Sequence, residues 1–168
     1  MGGSLAVGDV VGDFELLDET GTPRRLGELL AKGPVVLFFY PAAMTSGCTA
    51  ESCHFRDLAA EFAEVGAGPV GISRDVVGRQ RRFAETYDLG FPLLSDREGV
   101  VARAFGARRS FAVGPFLTRR MTFVIDTGFR LLEIIHSETS MQEHADRALE
   151  VLRARAGAGP AADGGGHP

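Results

Sequence analysis

Lysine is almost absent from this chain. Lys32 stands alone, and nearly all positive charge is arginine. With a net charge of −4 there is no basic field of the kind that draws DNA or RNA. Arginine pairs such as Arg81-Arg82, Arg108-Arg109 and Arg119-Arg120 are scattered, as expected of solvated faces. No apolar run approaches the roughly 20 residues that a membrane-spanning helix requires. The opening MGGSLAVGDVVGDF lacks both a basic start and a long apolar stretch, so no secretory signal is expected and a cytoplasmic location is. Neither an internal repeat nor a glycine-rich phosphate motif is visible. Cysteine is scarce as well: only Cys48 and Cys53 occur. Cytoplasmic thiols stay reduced unless they are catalytic or redox-sensing. A chain of 168 residues with 45% hydrophobic content builds one full core without a disulfide. Two cysteines placed close together in such a chain point toward chemistry.

The remaining sequence reads as alternating strands and helices. GDFELLDETGTPRRLGELL is a short strand, a turn at Thr20 to Pro23, and a short helix near Leu26 to Ala31. PVVLFFY, Pro34 to Tyr40, is a continuous apolar run rich in β-formers, which marks a central strand buried on both faces. A helix is expected from Cys48 to about Val65, then a strand over Gly68 to Ser73. An amphipathic helix follows over Val76 to Gly90, ended by glycine. FPLLSD is a brief strand and GVVARAFG a short helix. Arg108 to Thr118 is a loop whose Phe111 and Phe116 are candidates for lining a substrate entrance. Met121 to His136 is a hairpin around Asp126-Thr127-Gly128, and the last helix starts after Ser140. The folded domain is expected over residues 1–156. Residues 157–168, rich in Gly, Ala and Pro, are expected to be disordered. The alternation implies an α/β class with a mixed central sheet and helices on both faces, a pattern that a thioredoxin-like architecture satisfies among other α/β folds.

Both cysteines fall at the junction between the apolar strand and the helix after it. On a helical wheel at about 100° per residue, with Phe55 at zero, Leu58, Ala59 and Phe62 lie within about 60° and form one apolar stripe. Cys48 falls about 20° from Phe55, inside the stripe, and Cys53 about 160° away. One thiol is therefore expected to point inward at the first turn and the other outward or sideways. The rise between them is about 7.5 Å, whereas a disulfide holds its Cα atoms about 4.4–6.8 Å apart. The pair cannot close while the helix is intact, and any disulfide between them requires the first turns to unwind. A helix N-terminus offers free N–H groups and a dipole that favour a thiolate. Thr45 and Ser46 add hydroxyls, and Arg119 and Arg120 stand just before a core strand, from which a cation can reach inward. A free cysteine in an apolar stripe is equally often a small buried hydrophobe. Cys53 on a polar face is harder to read that way, because an exposed free thiol is a liability.

Pro41-Ala42-Ala43-Met44-Thr45-Ser46-Gly47-Cys48, with VVLFFY before it and CTAESC through Cys53, resembles the peroxiredoxin active site. More narrowly it resembles the peroxiredoxin Q group, also called bacterioferritin comigratory proteins. RMTFVID, Arg120 to Asp126, is similar to the segment that carries the family's active-site arginine two residues before a Ser or Thr. The likeness runs from about Val7 to Arg153. It implies a thioredoxin-like fold and a thiol-dependent peroxidase of hydrogen peroxide and organic hydroperoxides. Cys48 is then the peroxidatic cysteine and Cys53 the resolving one, joined by an intramolecular disulfide. Thr45 hydrogen-bonds the peroxide, Pro41 shields the thiolate from water, and Arg120, chosen over Arg119 by its spacing to Thr122, holds the thiolate and polarises the O–O bond. Glu51 matches the group's CT-x-E in a supporting role. No cofactor or metal is implied. The partners implied are a peroxide and a thioredoxin-like dithiol, and the subgroup favours a monomer.

Three other readings use the same residues. A redox switch that senses peroxide shares the whole site. A thiol–disulfide oxidoreductase acting on protein disulfides calls for a close pair such as Cys-x-x-Cys, and this chain has four residues between its cysteines. A zinc module of Cys48, Cys53, His54 and His136 has no compact ligand spacing. His136 and His144 read as ordinary surface or core histidines.

Overall fold

The computed structural model describes residues 5–109 and 117–163, with side chains to residue 157. The stretch holding Phe111 and Phe116 lies outside the described residues. The elements run β1 (Glu15–Leu17), β2 (Pro23–Arg25), α1 (Leu26–Leu30), β3 (Val35–Phe39), α2 (Ser46–Asp57), α3 (Ala59–Glu64), β4 (Gly68–Ser73), α4 (Val77–Tyr87), β5 (Leu93–Ser95), α5 (Val100–Phe105), β6 (Met121–Ile125), β7 (Leu131–His136) and α6 (Met141–Asp163). Helix α6 extends beyond the boundary near Ala156 expected from composition.

The strands form one mixed sheet in the order β2-β1-β5-β4-β3-β6-β7. β3 pairs in parallel with β4 and antiparallel with β6, so it lies inside the sheet, and all five of its residues are buried. Its continuous apolar run is what a strand covered on both faces requires. Side chains alternate across it. Val35, Leu37 and Phe39 enter a core shared with Leu26, Leu30, Phe105 and Phe123 on the α1 and α5 side. Val36, Phe38 and Tyr40 enter the opposite core with Cys48, Phe55, Phe62, Phe83 and Leu149, beneath α2, α3, α4 and α6. The expected mixed sheet with helices on both faces is therefore present.

Two local expectations are corrected. The single helix expected to run to about Val65 breaks at Leu58 (φ −98, ψ 11), whose N–H is shared between His54 O and Phe55 O. The break lets Phe55 and Phe62 both reach zero exposure, with ring centroids 5.9 Å apart. Leucine is a good helix former, so nothing in the local sequence signals it. The left-handed residue that closes α4 is Asp88 (φ 49), with Gly90 two positions on. Aspartate tolerates that conformation better than most residues with a Cβ.

Candidate active site

Cys48 is the third residue of α2. It is 0% exposed, and Cys53 on the next turns is partly exposed at the edge of the same core. Both thiols are free, and the helix between them is continuous. Cys48 points inward, and Cys53 lies sideways, half-buried against the same core, within the outward-or-sideways placement expected from the wheel. The helical rise sets the two residues about 7.5 Å apart along the axis, beyond the Cα spacing of a disulfide, so their contact needs an unwound helix.

The segment leading into α2 carries the other residues of the motif. Pro41 is partly buried at the turn out of β3. Thr45 occupies the N-cap position, where its carbonyl accepts the N–H of Thr49 at 2.8 Å. Its exposed hydroxyl donates to Ala42 O at 2.8 Å and not to the helix. With its proton committed there, the oxygen keeps lone pairs that accept.

Of the two adjacent arginines, Arg119 is exposed and Arg120 turns inward. Arg120 Nη1 donates to Cys48 Sγ at 3.2 Å and to Glu51 Oε1 at 3.1 Å. Its side chain is 11% exposed. A Cβ at position 47 would stand 3.2 Å from Arg120 Nη2, so Gly47 leaves room for the guanidinium to approach the helix. Strand alternation explains the choice between the two. Thr122 and Val124 face α2 and α6, and Arg120 shares their parity while Arg119 does not. The Arg120 backbone is itself held, because its N–H donates to Glu138 Oε2 at 3.2 Å, the atom that Arg109 Nη2 approaches at 2.7 Å.

Behind Arg120 lies a buried polar group whose extent the sequence reading did not foresee. Glu51 and His144 are both 0% exposed, and Glu51 Oε2 stands 3.6 Å from His144 Nδ1. His144 Nε2 lies 2.8 Å from Ser137 O, which can only accept, so that nitrogen carries the proton. Nδ1 then accepts the hydroxyl of Thr122 at 2.8 Å. His144 is thus a neutral core histidine. Burial holds it below its usual range, the Arg120 charge pushes the same way, and the Ser137 carbonyl pulls against them. A signal for Glu51 existed: it falls about 40° from Phe55 on the helical wheel, a carboxyl inside the apolar stripe. For His144 there was none, since its partners come from β6 and the end of β7. The other candidate zinc ligands point elsewhere. His54 pairs with Asp146 at 2.7 Å and His136 with Glu138 at 3.2 Å.

The Glu51 carboxyl is raised from 4.5 to about 8. Burial is the main cause, the charge and hydrogen bond of Arg120 oppose it, and Glu138 adds to it. Unfolding returns the carboxyl to its ordinary range. Between the two values the folded protein holds a proton that the unfolded chain has released, so this contribution is complete below the ordinary value and is lost as pH rises toward about 8. Glu51→Gln removes the titration. Urea midpoints of the reduced protein at about pH 5 and about pH 8 should fall with pH in the unsubstituted chain and flatten in the variant. An unchanged slope would contradict the buried-carboxyl account.

Residues 7–131 match the AhpC/TSA family. A putative peroxiredoxin of Mycobacterium tuberculosis is 59% identical over 150 residues, covering 89% of this chain and 97% of the relative. The crystal structure of peroxidoxin BcpB from the same organism superposes with a TM-score of 0.84 at 60% identity, over 88% of this chain and 96% of that one. The bacterioferritin comigratory protein of Xanthomonas campestris, whose structures address alkyl peroxide reduction, superposes at 0.76 with 29% identity, over 84% of this chain and 90% of its own.

Proposed function

The chain belongs to the AhpC/TSA family and is a thiol-dependent peroxidase of the peroxiredoxin type, and from that premise we propose that Cys48 attacks the peroxide and Cys53 resolves the product. The observation that carries the assignment is the 3.2 Å contact of Arg120 Nη1 with a buried Cys48 Sγ in the first turn of α2. A guanidinium and a helix N-terminus converge on one sulfur, and both favour an anion there.

The thiolate displaces the far oxygen of the peroxide in line. An S–O bond forms, the O–O bond breaks, and sulfur is oxidised to a sulfenic acid while the leaving alkoxide or hydroxide takes a proton. Arg120 stabilises the charge that shifts onto the leaving oxygen. Thr45, its own proton donated to Ala42 O, accepts the O–H of the incoming peroxide. Pro41, at the turn out of β3, limits access of water to the sulfur. The first turns of α2 then unwind and Cys53 reaches Cys48. An external dithiol of the thioredoxin type reduces the disulfide by exchange. Hydrogen peroxide and organic hydroperoxides both suit this chemistry, because the attacked oxygen carries the same proton in each. Every residue of the proposed site comes from one chain, so a monomer is sufficient. No helix among the described residues is long and apolar enough to cross a membrane, and a dithiol-reduced enzyme is expected to work in the cytoplasm.

The test is titration of the fully reduced protein with one equivalent of hydrogen peroxide, followed by thiol counting and peptide mapping. Both thiols should disappear together into a Cys48–Cys53 disulfide that thioredoxin reverses. Survival of Cys53 as a free thiol beside an oxidised Cys48 would overturn its resolving role.

A further inference from the structure

Ala43, three residues ahead of the α2 start, is fully buried and held on both of its backbone groups by a distant part of the chain. Its N–H donates to Asp75 Oδ2 at 2.7 Å, and its carbonyl accepts Arg79 Nη2 at 2.9 Å. Asp75 lies between β4 and α4, and Arg79 in the first turn of α4, where its Nε meets Asp75 Oδ1 at 3.1 Å. Ser73 Oγ donates to the same Asp75 Oδ2 at 2.6 Å. Gln80 continues the network, donating to Ser73 Oγ at 3.0 Å and to Leu94 O at 2.7 Å while accepting the Tyr40 hydroxyl at 2.6 Å. The brace is thereby tied to β5 and to the end of β3.

The residue after Ala43 is under backbone strain. Met44 has φ 71, a left-handed conformation that crowds any residue with a Cβ. Such a conformation persists only where its surroundings impose it, and Met44 is flanked by the held Ala43 peptide, by the Thr45 hydroxyl on Ala42 O, and by the core it packs against. Arg79 is 44% exposed, so its ion pair with Asp75 adds little by itself. The weight rests on the two hydrogen bonds to a buried peptide, whose loss leaves a buried N–H or C=O without a partner.

We propose that the Asp75–Arg79 brace on Ala43 holds the strained entry to α2 closed and so sets how often the helix unwinds for Cys53 to reach Cys48. Asp75 and Arg79 are positioning residues that act through Ala43 and Met44. The proposal rests on the two-cysteine reading above. Once Cys48 is a sulfenic acid, two fates compete. In the first, the Cys53 thiolate attacks the Cys48 sulfur, the S–S bond forms, the S–O bond breaks, and hydroxide leaves and takes a proton as water. In the second, another peroxide transfers oxygen to the sulfenic sulfur before unwinding, giving a sulfinic acid. The ratio of disulfide to sulfinic acid at a given peroxide concentration therefore reports unwinding.

The experiment mixes reduced full-length protein with a series of hydrogen peroxide concentrations, and quantifies both products by peptide mapping and the first step by peroxide consumption. Arg79→Ala should raise the ratio about three- to tenfold, the range of one lost hydrogen bond. The first step should stay within about twofold, because the closed helix remains the dominant population. Asp75→Asn, which keeps an acceptor for Ala43 N–H, should raise the ratio less, and Arg79→Lys should restore much of it. These milder variants carry the test if Arg79→Ala does not fold. General damage to the site would slow both steps together, and that result, or an unchanged ratio in the soluble variants, would overturn the brace alone. Absence of any Cys48–Cys53 disulfide in the unsubstituted protein would overturn the cysteine assignment and the brace with it.

Discussion

Replacing Arg120 by methionine should lower the second-order rate constant for peroxide reduction by about 10²- to 10³-fold, while Arg119→Met leaves it within about twofold. Methionine occupies much of the same space but cannot donate to Cys48 Sγ or Glu51 Oε1, the two atoms that Arg120 Nη1 meets at 3.2 and 3.1 Å. The sulfur loses the guanidinium that holds its anion, and the departing oxygen loses the charge that compensates it as the O–O bond breaks. Removal of one preorganised donor from such a site typically costs about 3–4 kcal/mol of transition-state stabilisation. The fold should survive, because Glu51, left without its cation, stays protonated and escapes the penalty of a bare buried carboxylate. Arg119 is exposed, and its side chain carries no part of the proposed site. Competition kinetics against a reference peroxidase, with the urea midpoint of each variant, would check both halves. Equal losses at the two positions would sink the assignment of the inward arginine.

Phe55→Ala should destabilise the reduced protein by about 3–5 kcal/mol. Phe55 is fully buried on the same helix as Cys48, stacked on Phe38 with centroids 4.2 Å apart and on Phe62 at 5.9 Å. Truncation leaves a cavity between α2 and β3 and removes two ring contacts, each worth roughly a further 0.5–1.5 kcal/mol. Phe55→Leu, which refills part of the space, should cost clearly less. Urea denaturation of the reduced forms gives the comparison. A loss below about 1 kcal/mol for Phe55→Ala would mean that the ring does not anchor α2 to the sheet. The same ring connects fold to function, since it fixes the helix whose first turn presents Cys48.

The elements differ in how far the sequence alone revealed them. β3 was legible because a run buried on both faces leaves an unbroken apolar signature, and all five of its residues are buried. The inward placement of Cys48, and the less buried placement of Cys53, were legible because helical periodicity needs no knowledge of the partner elements. The break at Leu58 was not, because it satisfies the packing of Phe55 and Phe62 and leaves no mark in residue type. Glu51 carried a faint signal as a charged residue in an apolar stripe, but its partners were hidden.

Short-range pattern was enough to reveal the pair of thiols at a strand-to-helix junction, the α/β alternation, the inward face of α2, and the Pro41-Thr45-Cys48 spacing that resembles peroxiredoxins. All of these are local, set by periods of two and 3.6 residues and by short spacing. The family resemblance favoured Arg120 by its spacing to Thr122, but the physical reason appears in the folded sheet, where pairing of β6 with β3 and β7 assigns its faces and so gives its parity a meaning. Only the tertiary structure decided the contact of Glu51 with His144, and the hold of Asp75 and Arg79 on Ala43 across 32 and 36 residues of chain. Those contacts arise when β4 and β6 assemble on either side of β3, and no local pattern records that assembly.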